Sequence, residues 1–148
     1  VTHPKLIVLI GLPGSGKSTW AASQNATILS SDAMRLLLSG DENNQQIHAR
    51  VFSALRCLLK HRLELGATPT ILDATNLRRK DRKPWLQLAA RYQATVEAVF
   101  FDIPLATALA RNASRARIVP PAAIERLAAR LQPPTRDEGF ARITSISA

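Results

Sequence analysis

Gly11 and Gly16 are separated by four residues in GLPGSGKST and lead directly into Lys17, Ser18 and Thr19. That spacing suits a polyphosphate. Glycines let successive backbone N–H groups converge on phosphate oxygens without a Cβ in the way, and a helix beginning near Lys17 would aim its positive dipole end at the anion. The loop of Gly11, Pro13, Gly14, Ser15 and Gly16, with Thr19 behind it, would cradle the phosphates of a nucleotide. Lys17 would bridge the β- and γ-phosphates, and Ser18 would hold Mg²⁺.

A metal held by one hydroxyl also needs a carboxylate, and TILDATN offers Asp73 at the end of an apolar run. Ligands bind at this edge of an open parallel sheet. Asp73 could orient Mg²⁺ or its water shell, with Thr75 and Asn76 offering hydrogen bonds to phosphates; alternatively, Asp73 or Thr75 caps the segment that follows. In ILSSDAMR, Asp32 could accept the proton of an attacking hydroxyl, and Arg35, one helical turn on, could grip an anionic group of the acceptor. The same two residues could equally be a helix N-cap and an i,i+3 ion pair. Arg111, Arg115 and Arg117, in RNASRAR, follow a helical segment. They could close over the polyphosphate as a lid that neutralises charge and excludes water, or merely complement a helix C-terminus. RRKDRK, residues 78–83, sets five basic residues before a helix, where the dipole disfavours them. An incoming phosphate chain could offset that cost, and so could solvent.

Positioning these groups requires a scaffold. Short runs rich in β-branched residues fall at 5–10, 27–30, 70–73, 96–103 and 143–146, with helical spacing between them. Such alternation predicts an α/β domain with a small parallel sheet flanked by helices, and a near-continuous apolar strand such as LIVLI fits burial on both faces. The longest helix is expected over 44–65, with Ile47, Val51, Ala54, Leu55 and Leu58 on one side. Arg50, Ser53, Arg56 and Lys60 lie opposite, as a solvated basic face. Gly66 ends it. Further helices are expected over 83–92, 104–112 and 121–131, two of them opened by proline.

The 148 residues are enough for one core of ordinary size, so a single domain over 1–148 is expected. The formal charge is +9, and 15 of the 20 basic residues are arginine, which favours an acidic partner such as nucleic acid or a phosphorylated ligand. Cys57 is the sole cysteine and sits among leucines, so it reads as an inert core thiol with no disulfide. The N-terminal apolar segment is too short for a signal peptide or a membrane span, which makes no membrane association and a cytoplasmic location the default.

Taken in order, GLPGSGKSTW, SSDAMR, DEN, LDATN, RKPW, RNASR and EGF resemble the kinase domain of 5′-polynucleotide kinases of the phage and bacterial RNA-repair type. The resemblance implies a P-loop NTPase fold with an arginine-bearing lid. It implies transfer of the γ-phosphate of ATP or GTP, with Mg²⁺, to the 5′-hydroxyl end of RNA or DNA. Lys17 and Ser18 match phosphate and metal contacts, Asp32 the general base, Arg35 the ligand of the acceptor's adjacent phosphate, and Arg115 the stabiliser of the transferring group. Arg111 and Arg117 match the lid more loosely. Family members commonly carry a phosphatase or ligase domain beside the kinase, and partner repair domains or proteins are expected from that. A kinase for a sugar or nucleoside would share every donor-side residue, and a nucleotide-dependent switch would have no use for a base at Asp32. Phe140, in EGF, either packs near the nucleotide or anchors the last strand.

Overall fold

The computed structural model describes residues 3–147. Strands β1 (Lys5–Ile10), β2 (Thr27–Ser30), β3 (Thr70–Asp73), β4 (Thr95–Asp102) and β5 (Arg142–Ser147) form one sheet in the order β2-β3-β1-β4-β5. Every neighbouring pair is parallel. The central position of β1 explains its composition: LIVLI has no solvent face to serve. In β3, all four residues are buried.

Helices cover both faces. They are α1 (Lys17–Ala22), α2 (Ser31–Ser39), α3 (His48–Glu64), α4 (Arg79–Arg91), α5 (Leu105–Ala113) and α6 (Pro121–Arg130). Val51, Leu55, Leu59 and Leu63 of α3, spaced by one turn, join Trp85 and Leu88 of α4 against Leu6, Val8, Ile10 and Phe100. Leu9, Ile71, Val99 and Phe101 form the opposite layer with Ala21 of α1. Phe140 is buried in the same layer as Trp85, just before β5, so it anchors the approach to that strand.

Three local expectations give way. Cys57 is exposed, and Leu58 is 41% exposed: the buried stripe of α3 runs through Leu55 and Leu59 and leaves both outside it. The expected helix over 44–65 divides into a 3-10 turn at Gln45–Ile47 and α3, because the Asn44 side chain accepts from Gln46 N at 3.0 Å and caps the turn. Helix α4 begins at Arg79, a turn before the expected start, because the Asp81 carboxylate accepts from Arg78 N at 3.1 Å and from the Arg78 side chain. Gly66, at φ +70° just beyond α3, does end that helix as expected. No helix among the described residues is long and apolar enough to cross a membrane.

The basic run at 78–83 is neutralised from within. Arg78 pairs with Asp81, Arg79 with Asp137, and Arg82 with Glu138. The acids at 137 and 138 belong to a 3-10 turn, Arg136–Glu138, which straps the segment before β5 onto α4. Burial alone would push the Glu138 carboxyl up, but hydrogen bonds from Arg82 and Thr135 N and the charges of Arg82 and Arg79 outweigh it, holding the group below 4.5. A lowered folded value means this stabilisation is present above pH 4.5 and is lost as the pH falls through the folded value. The gap in melting temperature between the wild type and Glu138→Gln is therefore expected to narrow on acidification below pH 4.5; a constant gap would remove the carboxylate from the strap.

Candidate active site

At the C-terminal edge of the sheet lies an open cleft of about 1330 Å³, enough for a nucleotide and a second substrate. Its floor is the loop between β1 and α1. Gly11 N donates to Thr75 O at 3.1 Å, and a Cβ on Gly11 would lie 2.9 Å from Phe101 Cβ. Gly14 has φ +82°, and a Cβ there would lie 2.6 Å from the Ala108 carbonyl oxygen. Both glycines are thus required by packing against β4 and α5, apart from any ligand. Lys17 Nζ donates to the carbonyls of Gly11 at 2.9 Å and Leu12 at 2.8 Å. Burial lowers its pKa to about 8, with Arg115 adding to the effect and Asp73 and Asp32 opposing it.

Ser18 Oγ donates to Asp73 Oδ2 at 2.8 Å, so the two expected metal ligands meet. Asp73 is 7% exposed; burial raises its pKa, assisted by Asp32 and opposed by Ser18 and Lys17. A hydroxyl and a carboxylate are hard oxygen donors that fit Mg²⁺, which keeps several waters and takes its other ligands from phosphates.

One wall of the cleft is built by α2 and the start of α3. Ser30, not Asp32, caps α2: its Oγ accepts from Ala33 N at 3.2 Å. The Asp32 carboxylate is thereby freed from the capping role, and its side chain is 48% exposed. Its Oδ1 accepts from Arg35 Nη1 at 3.4 Å, so the i,i+3 pair exists. Arg35 is 5% exposed, yet its Nε has no hydrogen-bond partner. A buried guanidinium with an unused donor is costly unless an anion completes it. Asn43, Gln45, His48 and Phe52 line the same wall. Burial, with Arg35 nearby, lowers the His48 pKa, and its ring lies 4.6 Å from that of Phe52. Asn43 closes the DEN stretch of the family resemblance, whereas Gln45, His48 and Phe52 lack a local signal.

The opposite wall is the lid, residues 114–120, and α6. Asn112, 1% exposed, pins the lid at its far end by donating to Val119 O at 2.6 Å and accepting from Val119 N at 2.9 Å. Arg111 Nη1 donates to Ser15 O at 3.3 Å, on the glycine-rich loop. Arg115 also lines the cleft, and its charge bears on Lys17. Arg117 turns the other way, to Asp32 Oδ2 at 3.1 Å. With Asp32 half-exposed, that ion pair contributes a few tenths to about 1 kcal/mol.

Thr75 lines the cleft. Asn76 does not: it is 4% exposed, donates from Nδ2 to Leu9 O at 2.8 Å and accepts at Oδ1 from Trp85 Nε1 at 3.1 Å. Its side chain is consumed in holding β1 to α4, which corrects its assignment to substrate. Likewise, the basic run at 78–83 is largely paired with acids and stands outside the cleft.

Residues 6–134 match the AAA domain family model. The chain is 27% identical over 151 aligned residues to a bifunctional polynucleotide phosphatase/kinase of Schizosaccharomyces pombe, covering 97% of this chain and 34% of that protein. It is 28% identical to a chain of the solved Pnkp1/Rnl/Hen1 RNA repair complex, with a TM-score of 0.76 over 89% of this chain and 45% of that one. A gluconokinase from Sinorhizobium meliloti 1021 shares the fold at 19% identity and a TM-score of 0.66, over 99% of this chain and 84% of that one. The chain spans about a third of the curated relative and under half of the repair-complex chain.

Proposed function

Because the chain belongs to the AAA domain family, on a P-loop kinase fold, we propose that it transfers the γ-phosphate of ATP or GTP to the 5′-hydroxyl end of RNA or DNA. The observation that carries this reading is the pairing of a half-exposed carboxylate, Asp32, with a buried arginine, Arg35, whose Nε is unsatisfied. A hydroxyl alone would need only the first; a hydroxyl next to a phosphate uses both. The kinship with a polynucleotide phosphatase/kinase and with a chain of an RNA repair complex supports the same acceptor, and supports further end-repair activities as companions of this module.

In this scheme Asp32 takes the proton as the acceptor oxygen bonds to the γ-phosphorus and the bond to the bridging oxygen of the nucleoside diphosphate breaks. Lys17 leaves the loop carbonyls for the phosphates, and Arg111 and Arg115 neutralise charge that spreads over the transferring group. Mg²⁺, held by Ser18 and Asp73, would supply charge neutralisation at the phosphate oxygens. Thr75, on the floor, would orient the phosphate chain.

Labelled ATP offered with 5′-hydroxyl RNA and DNA, beside a panel of sugars and nucleosides, tests the proposal. End-labelled oligonucleotide is expected; turnover confined to a sugar would assign a metabolite kinase, and slow hydrolysis with no acceptor would assign a switch. Arg35→Ala is expected to raise KM for a nucleoside 3′-phosphate by about 10- to 100-fold, the worth of a hydrogen bond to a charged group. An equal loss with a nucleoside lacking that phosphate would separate Arg35 from it.

A further inference from the structure

Arg117 occurs in the same short run as Arg111 and Arg115, a run that could close over the nucleotide's phosphates as a lid. Its surroundings are different. Nη1 donates to Asp32 Oδ2 at 3.1 Å, Nε to Asn43 Oδ1 at 2.9 Å, and Nη2 to the Glu42 carbonyl at 3.3 Å; Glu42 Oε1 lies 3.6 Å from Nε. All of these partners belong to α2 or to the segment that follows it, whereas Arg111 reaches back to Ser15 on the phosphate loop. The two arginines therefore serve different parts of the cleft, Arg111 the phosphate loop on its floor and Arg117 the α2 wall.

We propose that Arg117 is a specificity-determining residue for the acceptor: with Arg35, it brackets the phosphate next to the acceptor's hydroxyl, exchanging Asp32 for that phosphate when the acceptor arrives. This rests on the polynucleotide reading of the site. Arg35 and Arg117 donate to different oxygens of the one Asp32 carboxylate, so both guanidiniums lie within reach of a single anion beside it. Arg35 brings an unused Nε donor from the buried side. Arg117 brings a planar fork from the lid, its side chain 20% exposed in the mouth of the cleft. Two guanidiniums converging from opposite walls match a phosphodiester, which accepts from both sides. Until an acceptor enters, the fork occupies Asp32 Oδ2 and spans the cleft from lid to α2. A hydroxyl compound without the adjacent phosphate offers Arg117 nothing in exchange and must compete with this contact. Selection for a nucleotide terminus over a free nucleoside follows.

The test is a split of Michaelis constants for the wild type, Arg117→Ala and Arg117→Lys, varying ATP, a nucleoside 3′-phosphate and the corresponding nucleoside. In Arg117→Ala, KM for the 3′-phosphate is expected to rise about tenfold, the lower end for a charged hydrogen bond, and the preference over the nucleoside to fall by at least that factor, since the nucleoside no longer competes with the contact to Asp32. KM for ATP should stay within about twofold, which also reports that the variant is folded. Arg117→Lys, keeping the charge but not the fork, should recover only part of the loss. A raised KM for ATP with the acceptor constants unchanged would return Arg117 to the donor side, and equal losses on both acceptors would exclude the phosphate as its ligand. If the wild type phosphorylates neither the 3′-phosphate nor an oligonucleotide, the functional reading and this inference fall together; if it does and the ratio is unmoved in Arg117→Ala, only this inference falls.

Discussion

Asp32→Asn is expected to slow transfer to a 5′-hydroxyl oligonucleotide by about 10²- to 10⁴-fold, the usual contribution of a positioned general base. Binding of ATP should persist, because the donor-side contacts are built by the glycine-rich loop and Lys17 on another part of the cleft. The amide is nearly the same size as the carboxylate and still offers one oxygen to Arg35 or Arg117, so a large structural change is not expected. Single-turnover transfer measured beside equilibrium nucleotide binding separates the two effects. Turnover at the wild-type rate would strip Asp32 of the base role, and a parallel loss of nucleotide binding would make it a structural residue.

The second large effect concerns stability. Arg82 is fully buried and donates five hydrogen bonds: two to Glu138 at 2.8 and 2.9 Å, and one each to the carbonyls of Asn76, Leu77 and Gln132 at 2.9, 3.0 and 2.9 Å. Glu138→Ala would leave that guanidinium charged, desolvated and without its anion, a situation that costs about 3–5 kcal/mol. Replacing both partners, as in Arg82→Met with Glu138→Leu, removes the stranded charge, and the double variant should lose less than the sum of the singles. Denaturant titration of the wild type, Arg82→Met, Glu138→Leu and the double variant measures this; additive losses would mean that the pair is not energetically coupled. Because the three carbonyls belong to the segments after β3 and α6, the ion pair also fixes the loop that carries Thr75 and the end of the helix that walls the cleft. Activity per folded molecule is accordingly expected to fall in Glu138→Ala even where the protein remains folded.

The contrast between Arg82 and Arg117 shows how legibility in the sequence varies with distance. The glycine-rich loop could be read because every atom that defines it lies within eight residues, and the structure adds the reasons Gly11 and Gly14 must be glycine: their approaches to Phe101 and Ala108. Ser18 was recognisable from its place after the glycine-rich loop and Asp73 from its place at a strand end, and the parallel order of β1 and β3 brings them together. Whether a phosphate chain or solvent offsets the basic run at 78–83 stayed open in the sequence because its counter-ions Asp137 and Glu138 stand more than fifty residues away. Asn76 looked like a phosphate ligand because nothing local reveals that Leu9 and Trp85 take its donors and acceptor. Cys57 and Leu58 looked buried because periodicity gives the direction of a helix's apolar stripe only to within a residue.

By itself, the sequence determined what short-range chemistry can dictate: the phosphate loop, the strand and helix alternation, the parallel sheet that follows from it, and the kinds of side chain that gather at its C-terminal edge. The tertiary structure alone decided which of the many arginines are free and which are spent, since charge is neutralised through space. It placed Arg82 in the core against Glu138 and left Arg35 with an unused donor. It also turned Arg117 from the donor wall to Asp32 across a separation of 85 residues, a choice fixed by where the lid meets α2 and by no feature of the run RNASRAR.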